Sequence, residues 1–183
     1  MLRVLEEDFD DGFRLDWHSD IADIDTMTAT YLSHSRQALF VAVDQTGCVL
    51  ATTAVREDGP RCPPHPDWLA ARYAGPESAQ LMRVWVAREH RRRGIARHLV
   101  STACRWAASA GYRTMCLHTH VEVPGAKLFW RAMPAVEVHR ARDRGGELTI
   151  HFELGLDREQ RNEEEESRGA GRPWDPGPRP PMG

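Results

Sequence analysis

The sequence contains no Cys-x-x-Cys pair, no long apolar run and no large excess of charge of either sign. Its four cysteines, Cys48, Cys62, Cys104 and Cys116, are scattered. That spacing argues against a disulfide framework and against a structural zinc site, so reduced thiols are expected. No stretch approaches the ~20 apolar residues that span a bilayer. The N-terminal MLRVLEEDFDD is acidic where a secretory signal would be basic and then apolar, so a cytoplasmic location is the default expectation. A formal net charge of -3 gives no general attraction to nucleic acid, and neither nucleic acid nor a membrane is expected as a partner.

What is present is the composition of one folded domain. With 183 residues, 41% hydrophobic and 28% charged, the chain can bury a core but is short for two domains. Residues 1–156 carry the hydrophobic patterning. From Asp157 a charge run passes into proline and glycine with little to bury, and 157–183 is expected to be a disordered tail.

Gln80 to Ala110 organises the rest. Leu81 to Val86 is rich in large and β-branched residues and reads as a strand. Ile95, Leu99, Ala103, Trp106 and Ala110 then recur at helical spacing and predict an amphipathic helix. Between them lies Arg91-Arg92-Arg93-Gly94-Ile95-Ala96. Glycine there lets backbone approach a ligand, and the first amides of a helix lack intrahelical partners at the positive end of its dipole. Strand, basic glycine turn and helix together predict an anion-binding element. The competing reading is a solvated basic turn or a nucleic-acid patch from Arg88 to Arg97, which leaves the Gly-x-Ala spacing unexplained.

Around that centre the pattern predicts a strand at Leu2–Leu5 and a helix from Ser19 or Asp20 to about His34. A hairpin of Ala38–Val43 and Cys48–Val55 follows. Residues 56–79 hold five prolines and one short helical candidate, Asp67–Tyr73, and read as a binding loop or lid. After the long helix come a strand at Thr114–Thr119, a helix at Ala126–Met133 stopped by Pro134, and a hairpin of Ala135–Arg140 and Leu148–Leu154. The order is that of a mixed-sheet α/β (α+β) domain.

Arg91, Gly94 and Ala96 fill the three defined places of Arg/Gln-x-x-Gly-x-Gly/Ala, so the segment resembles the coenzyme-A signature of the GNAT N-acetyltransferase superfamily. The resemblance covers about Ala38 to Leu154. It implies a splayed central sheet, acetyl-CoA as co-substrate with no metal, and direct attack of a primary amine on the thioester. It places the Val84 amide as oxyanion donor, with backbone of Val84 and Val86 along the pantetheine arm. Arg91, Arg92, Arg93, Gly94, Ile95 and Ala96 hold phosphate, and Trp130 lies at the cofactor. A second family pattern, Asn-x-x-Ala-x-x-x-Tyr, is altered: Ala126 fits, but Val123 and Trp130 replace the asparagine and the usual acid, and an indole is no practical acid.

His118 and His120 share one face of their strand, and Glu122 joins them if the strand continues, which makes His120 or Glu122 the candidate base. Gln80 stands where some relatives carry a glutamate base and cannot titrate. A zinc set from His118, His120 and His90 or His139 lacks a third ligand at fixed spacing. The leading expectation is an N-acetyltransferase acting on a small amine, with a homodimer permitted. A GNAT-like module that binds acyl-CoA without turnover is the alternative that the altered Trp130 and Pro134 positions support.

Overall fold

The computed structural model describes residues 22–57, 59–61, 65–142 and 148–156. The strand expected at Leu2–Leu5, the turn after Arg142 and the tail from Asp157 lie outside them. The elements in order are α1 (Ala22–Asp25), a π-helical turn (Thr28–Leu32), β1 (Ala38–Val43), β2 (Val49–Arg56), α2 (Asp67–Arg72) and β3 (Ser78–Val86). A 3₁₀ turn (Arg88–His90), α3 (Ile95–Ser109), β4 (Thr114–His120), α4 (Ala126–Arg131), β5 (Val136–Arg142) and β6 (Leu148–Gly155) complete the fold.

Among the described residues the strands form one mixed six-stranded sheet in the order β1-β2-β3-β4-β6-β5. Only β3 and β4 run parallel, joined by the α3 crossover. Every other neighbour is antiparallel. α3 turns one stripe, Val100, Ala103 and Ala107, onto the sheet, where it meets Leu81, Met115, Leu117, Ile150, Phe152 and Leu154. Ile95 and Leu99, at its head, pack on Ala51 in a second cluster. Gly111 at φ +91° ends the helix run, and Gly125 at φ +79° precedes α4.

On the opposite face, α2 lays Leu69 and Tyr73 against Cys116. The Tyr73 hydroxyl and Arg72 both donate to Glu153 of β6. The proline-rich segment is therefore anchored to the sheet, with Tyr73 crowding Gly59 so closely that an added Cβ would lie 2.7 Å from the Tyr73 Cβ. The first helical region departs from expectation. Instead of one helix reaching His34, a short α-helix gives way at Thr26 to a π-helical turn closed by the Ser33 amide on the Thr28 carbonyl. The wider turn changes the phase, so Tyr31 is buried while Leu32 is 68% exposed.

Candidate active site

The centre of the sheet is split. β3 and β4 pair only through Ser78↔Thr114, Ala79↔Met115 and Gln80↔Cys116, although β3 continues to Val86 and β4 to His120. Beyond Gln80 the two strands part, and among the described residues no ladder pair joins β3 to β4 past that point. Gln80 is itself buried as one of the last pair.

Where the strands part, β3 is bulged. Thr52 pairs with Trp85 and Ala54 with Met82, so Arg83 and Val84 together oppose Thr53. Arg83 adopts φ +57°, a left-handed conformation that costs a non-glycine residue free energy. Threonine hydroxyls of β2 occupy the carbonyls at the bulge: Thr52 Oγ1 donates to Arg83 at 2.8 Å and Thr53 Oγ1 to Met82 at 3.3 Å. The Arg83 side chain is held by a buried ion pair with Asp23 of α1, and Tyr31 donates to the same carboxylate. Burial acts to raise the Asp23 carboxyl, but the Arg83 guanidinium and the Tyr31 hydroxyl outweigh it and hold it below the ordinary value. Burial and the Asp23 charge push the Tyr31 phenol up.

At the far end of β3 the chain turns sharply into α3. Arg92 and Gly94 both take positive φ, +58° and +80°, and Gly94 occupies the N-cap with no side chain capping the helix. The first intrahelical bond runs from the His98 amide to the Gly94 carbonyl, leaving the amides of Ile95, Ala96 and Arg97 without helical acceptors. Arg91, Arg92, Arg93 and Gly94 are exposed around this cap. An added Cβ at Gly94 would meet no protein atom within 4 Å, so what the glycine secures is the backbone conformation and the open approach. These features suit a phosphate-bearing ligand.

Three expected cofactor contacts have further roles. Ile95 buries its side chain, so only its amide remains for a ligand. The Val86 carbonyl accepts from Arg91 Nε at 3.0 Å, which ties the basic turn back to β3. Trp130 is 5% exposed and belongs to the core, with ring centroids 4.8 Å from Phe129 and 6.5 Å from Phe152. Val84 and Val86 are half-buried.

The other wall of the split is histidine. His118 and His120 project from one face of β4 past its last pair with β3, and His118 sits opposite His151 of β6, which sits opposite His139 of β5. His65, from the segment before α2, covers the row with ring centroids 4.6 Å from His118 and 4.9 Å from His151. A 3.0 Å hydrogen bond joins His65 Nδ1 and His151 Nε2. His151 is 5% exposed, and its Nδ1 and the Nε2 of His139 are buried without partners. Burial first, then the neighbouring imidazoles, pushes His118 down to about 3 and His151 to about 4, so both are neutral near pH 7. His120 Nδ1 lies 3.3 Å from Thr149 Oγ1.

Glu122 does not join this face as a strand residue. β4 ends at His120, and Glu122 is exposed in the turn that follows. Among the described residues no three His, Cys, Asp or Glu side chains are disposed to hold a metal ion. His65 and His151 were missed by the sequence reading, since only the β4–β6 register and the path of the proline-rich segment bring them to His118. Asp23 and Arg83 were missed because nothing in their spacing pairs them.

Residues 2–133 match the model of the acetyltransferase (GNAT) family. The chain belongs to the GNAT acetyltransferase family. Solved structures agree on the fold. A GNAT-family acetyltransferase from Staphylococcus aureus Mu50 superposes with a TM-score of 0.62 at 15% identity, over 85% of this chain and 88% of that one. A GCN5-related N-acetyltransferase from Kribbella flavida gives 0.61 at 18% identity over 85% and 89%. A variant of the spermidine N-acetyltransferase SpeG from Vibrio cholerae gives 0.56 at 16% identity over 85% and 89%. A search of curated proteins finds none that matches the sequence. As a GNAT acetyltransferase the chain uses acetyl-CoA and an acceptor, and no helix among its described residues is long and apolar enough to cross a membrane.

Proposed function

We propose that this GNAT chain transfers the acetyl group of acetyl-CoA to a primary amine of a small-molecule acceptor by direct attack across the split between β3 and β4. The observation that carries the reading is the coincidence of the split with the Arg83–Val84 bulge and the uncapped start of α3. Acetyl-CoA supplies an activated thioester. The amides at the head of α3, with the guanidinium groups of Arg91, Arg92 and Arg93, hold its phosphates. The edge of β3 at Val84 and Val86, where it has parted from β4, receives the pantetheine arm as an added strand. The Val84 amide donates to the thioester oxygen as that oxygen gains charge.

The acceptor amine attacks the carbonyl carbon, the carbon–sulfur bond breaks, and the amine proton passes to a base on the histidine wall. His120 is the first candidate, because it stays on that face where Glu122 leaves the strand. Water protonates the departing thiolate, whose acidity resembles that of a cysteine thiol with pKa about 8.5. No tyrosine is required of position 130, where the indole supports the core beneath the split. The test is single-turnover acetyl transfer to a panel of small amines. Transfer that falls sharply in His120→Gln, at unchanged acetyl-CoA affinity, supports the assignment. Tight acetyl-CoA binding with no transfer to any amine would instead favour a non-catalytic binding module.

A further inference from the structure

The histidine wall is chemically one-sided. Around His118 and His151 stand Cys116 and His120 from β4, Thr149 and Glu153 from β6, His139 from β5, His65 and Trp68 from the segment carrying α2, and Arg83 from β3. The carboxylate on this face, Glu153, and the one paired with Arg83, Asp23, are already committed. Asp23 accepts from Arg83 and Tyr31, and Glu153 accepts from Arg72 and Tyr73. What remains is a set of imidazole N–H groups and ring nitrogens, with the His151 Nδ1 and His139 Nε2 buried and unpartnered. A polycationic amine needs unspent carboxylates to replace its hydration, and no described group on this face offers one. An anionic group, in contrast, meets donors that can acquire charge, because a carboxylate beside a depressed imidazole favours its protonated form.

We propose that the histidine face beside the split is the acceptor site, and that it takes an amine which also carries a carboxylate, an amino acid in the simplest case, in preference to a polyamine. The proposal rests on the transferase reading above. In it the carboxylate lies against the row of His118, His151 and His139 beneath His65, and the amine is directed back across the split toward Val84. Reaction at the amine leaves the carboxylate unchanged, so the face contributes binding and orientation while the bond chemistry stays at the split. Because a neighbouring carboxylate raises an imidazole's pKa by about 1–3 units, binding takes up protons from solvent in mildly acid buffer, near about pH 5.

The test pairs amino acids with their own carboxamides, which keep the amine and lose the charge, and adds spermidine. Specificity constants for acetyl transfer are expected to favour each acid over its amide by about tenfold or more, the scale of a charge-assisted hydrogen bond. Separately, calorimetry of the acids on the full chain saturated with coenzyme A, in mildly acid buffers of different ionisation heat, is expected to show net proton uptake. His118→Gln and His139→Gln should each narrow the acid-to-amide ratio while acetyl-CoA affinity holds, and His139→Gln keeps the test open should His118→Gln fold poorly. Amides or spermidine used as well as acids overturn the proposal, as does binding without proton uptake. So does stoichiometric Zn²⁺ uptake that is lost in His151→Gln, which would make the face a metal site. If acetyl-CoA binds but no amine is acetylated, the transferase reading fails, while the calorimetric arm still decides whether the face takes an anion.

Discussion

The two walls of the split are built from opposite materials. On the β3 side the groups proposed to face the cofactor are mostly backbone: the edge of a bulged strand and the first amides of α3, set by Arg83, Arg92 and Gly94 at positive φ. On the β4 side they are side chains, five histidines brought together from β4, β5, β6 and the segment before α2. A backbone site depends on conformation and tolerates most side chains. A side-chain site depends on identity and on the register of distant strands. Perturbing one wall should therefore leave the other legible.

The largest expected effect falls on the support beneath the β3 wall. Asp23→Ala removes the carboxylate that the Arg83 guanidinium pairs with, and loss of one half of a buried ion pair costs about 3–5 kcal/mol. The melting temperature should fall steeply, and with it the fixed bulge beside Val84. A drop of less than a couple of degrees would show that the pair does not secure α1 to β3.

Gly94→Val tests the backbone wall alone. A residue held at φ +80° costs about 1–2 kcal/mol, and each phosphate bond lost adds about 1.5–3. Coenzyme-A affinity should fall by about a hundredfold, while the backbone strain lowers the melting temperature by several degrees, about 2–4 °C per kcal/mol. Unchanged affinity by calorimetry would remove the phosphate assignment. Smaller and more selective is Arg93→Ala. It should weaken coenzyme A by roughly tenfold while sparing acetyl-pantetheine, which lacks the nucleotide phosphates. Equal losses on both ligands would mean the arginine does not reach phosphate.

Acid tests the histidine wall alone. His118 and His151 bind protons more weakly folded than unfolded, so below about pH 6.5 the unfolded chain takes up protons that the folded chain refuses. Stability should be full above pH 6.5 and decline as pH falls toward about 4. His118→Gln should flatten that decline in a thermal-melt series. The smallest expected effect is Trp130→Tyr, a slight loss of core packing with no gain in single-turnover rate. A rise for Tyr but not for Phe would restore an acid to that position.

The backbone wall was legible in the sequence because its signal is local. Arg91, Gly94 and Ala96 lie within six residues, and the strand and helix flanking them announce themselves by period. β1 was read to the residue at Ala38–Val43. The histidine wall was half legible. The alternation of His118 and His120 placed them on one face, but His151 joins them only through a strand register, and His65 through the path of a proline-rich segment. The Arg83–Asp23 pair joins residues 60 apart and carries no motif at all. Glu122 was placed by extending an alternation that the chain ends at His120.

The short seam between β3 and β4 has a consequence for how the molecule comes apart. On either side of it lie three-stranded antiparallel units, β1-β2-β3 and β4-β6-β5, each held by neighbouring strands paired over several residues. The units meet in the sheet through three residue pairs only, Ser78↔Thr114 to Gln80↔Cys116, with α3 packed across their backs. Opening at that seam requires no strand within either unit to unzip. In native-state amide exchange the seam should therefore open at lower free energy than the β4–β6 ladder beside it, making the junction at the root of the split the weakest line across the sheet.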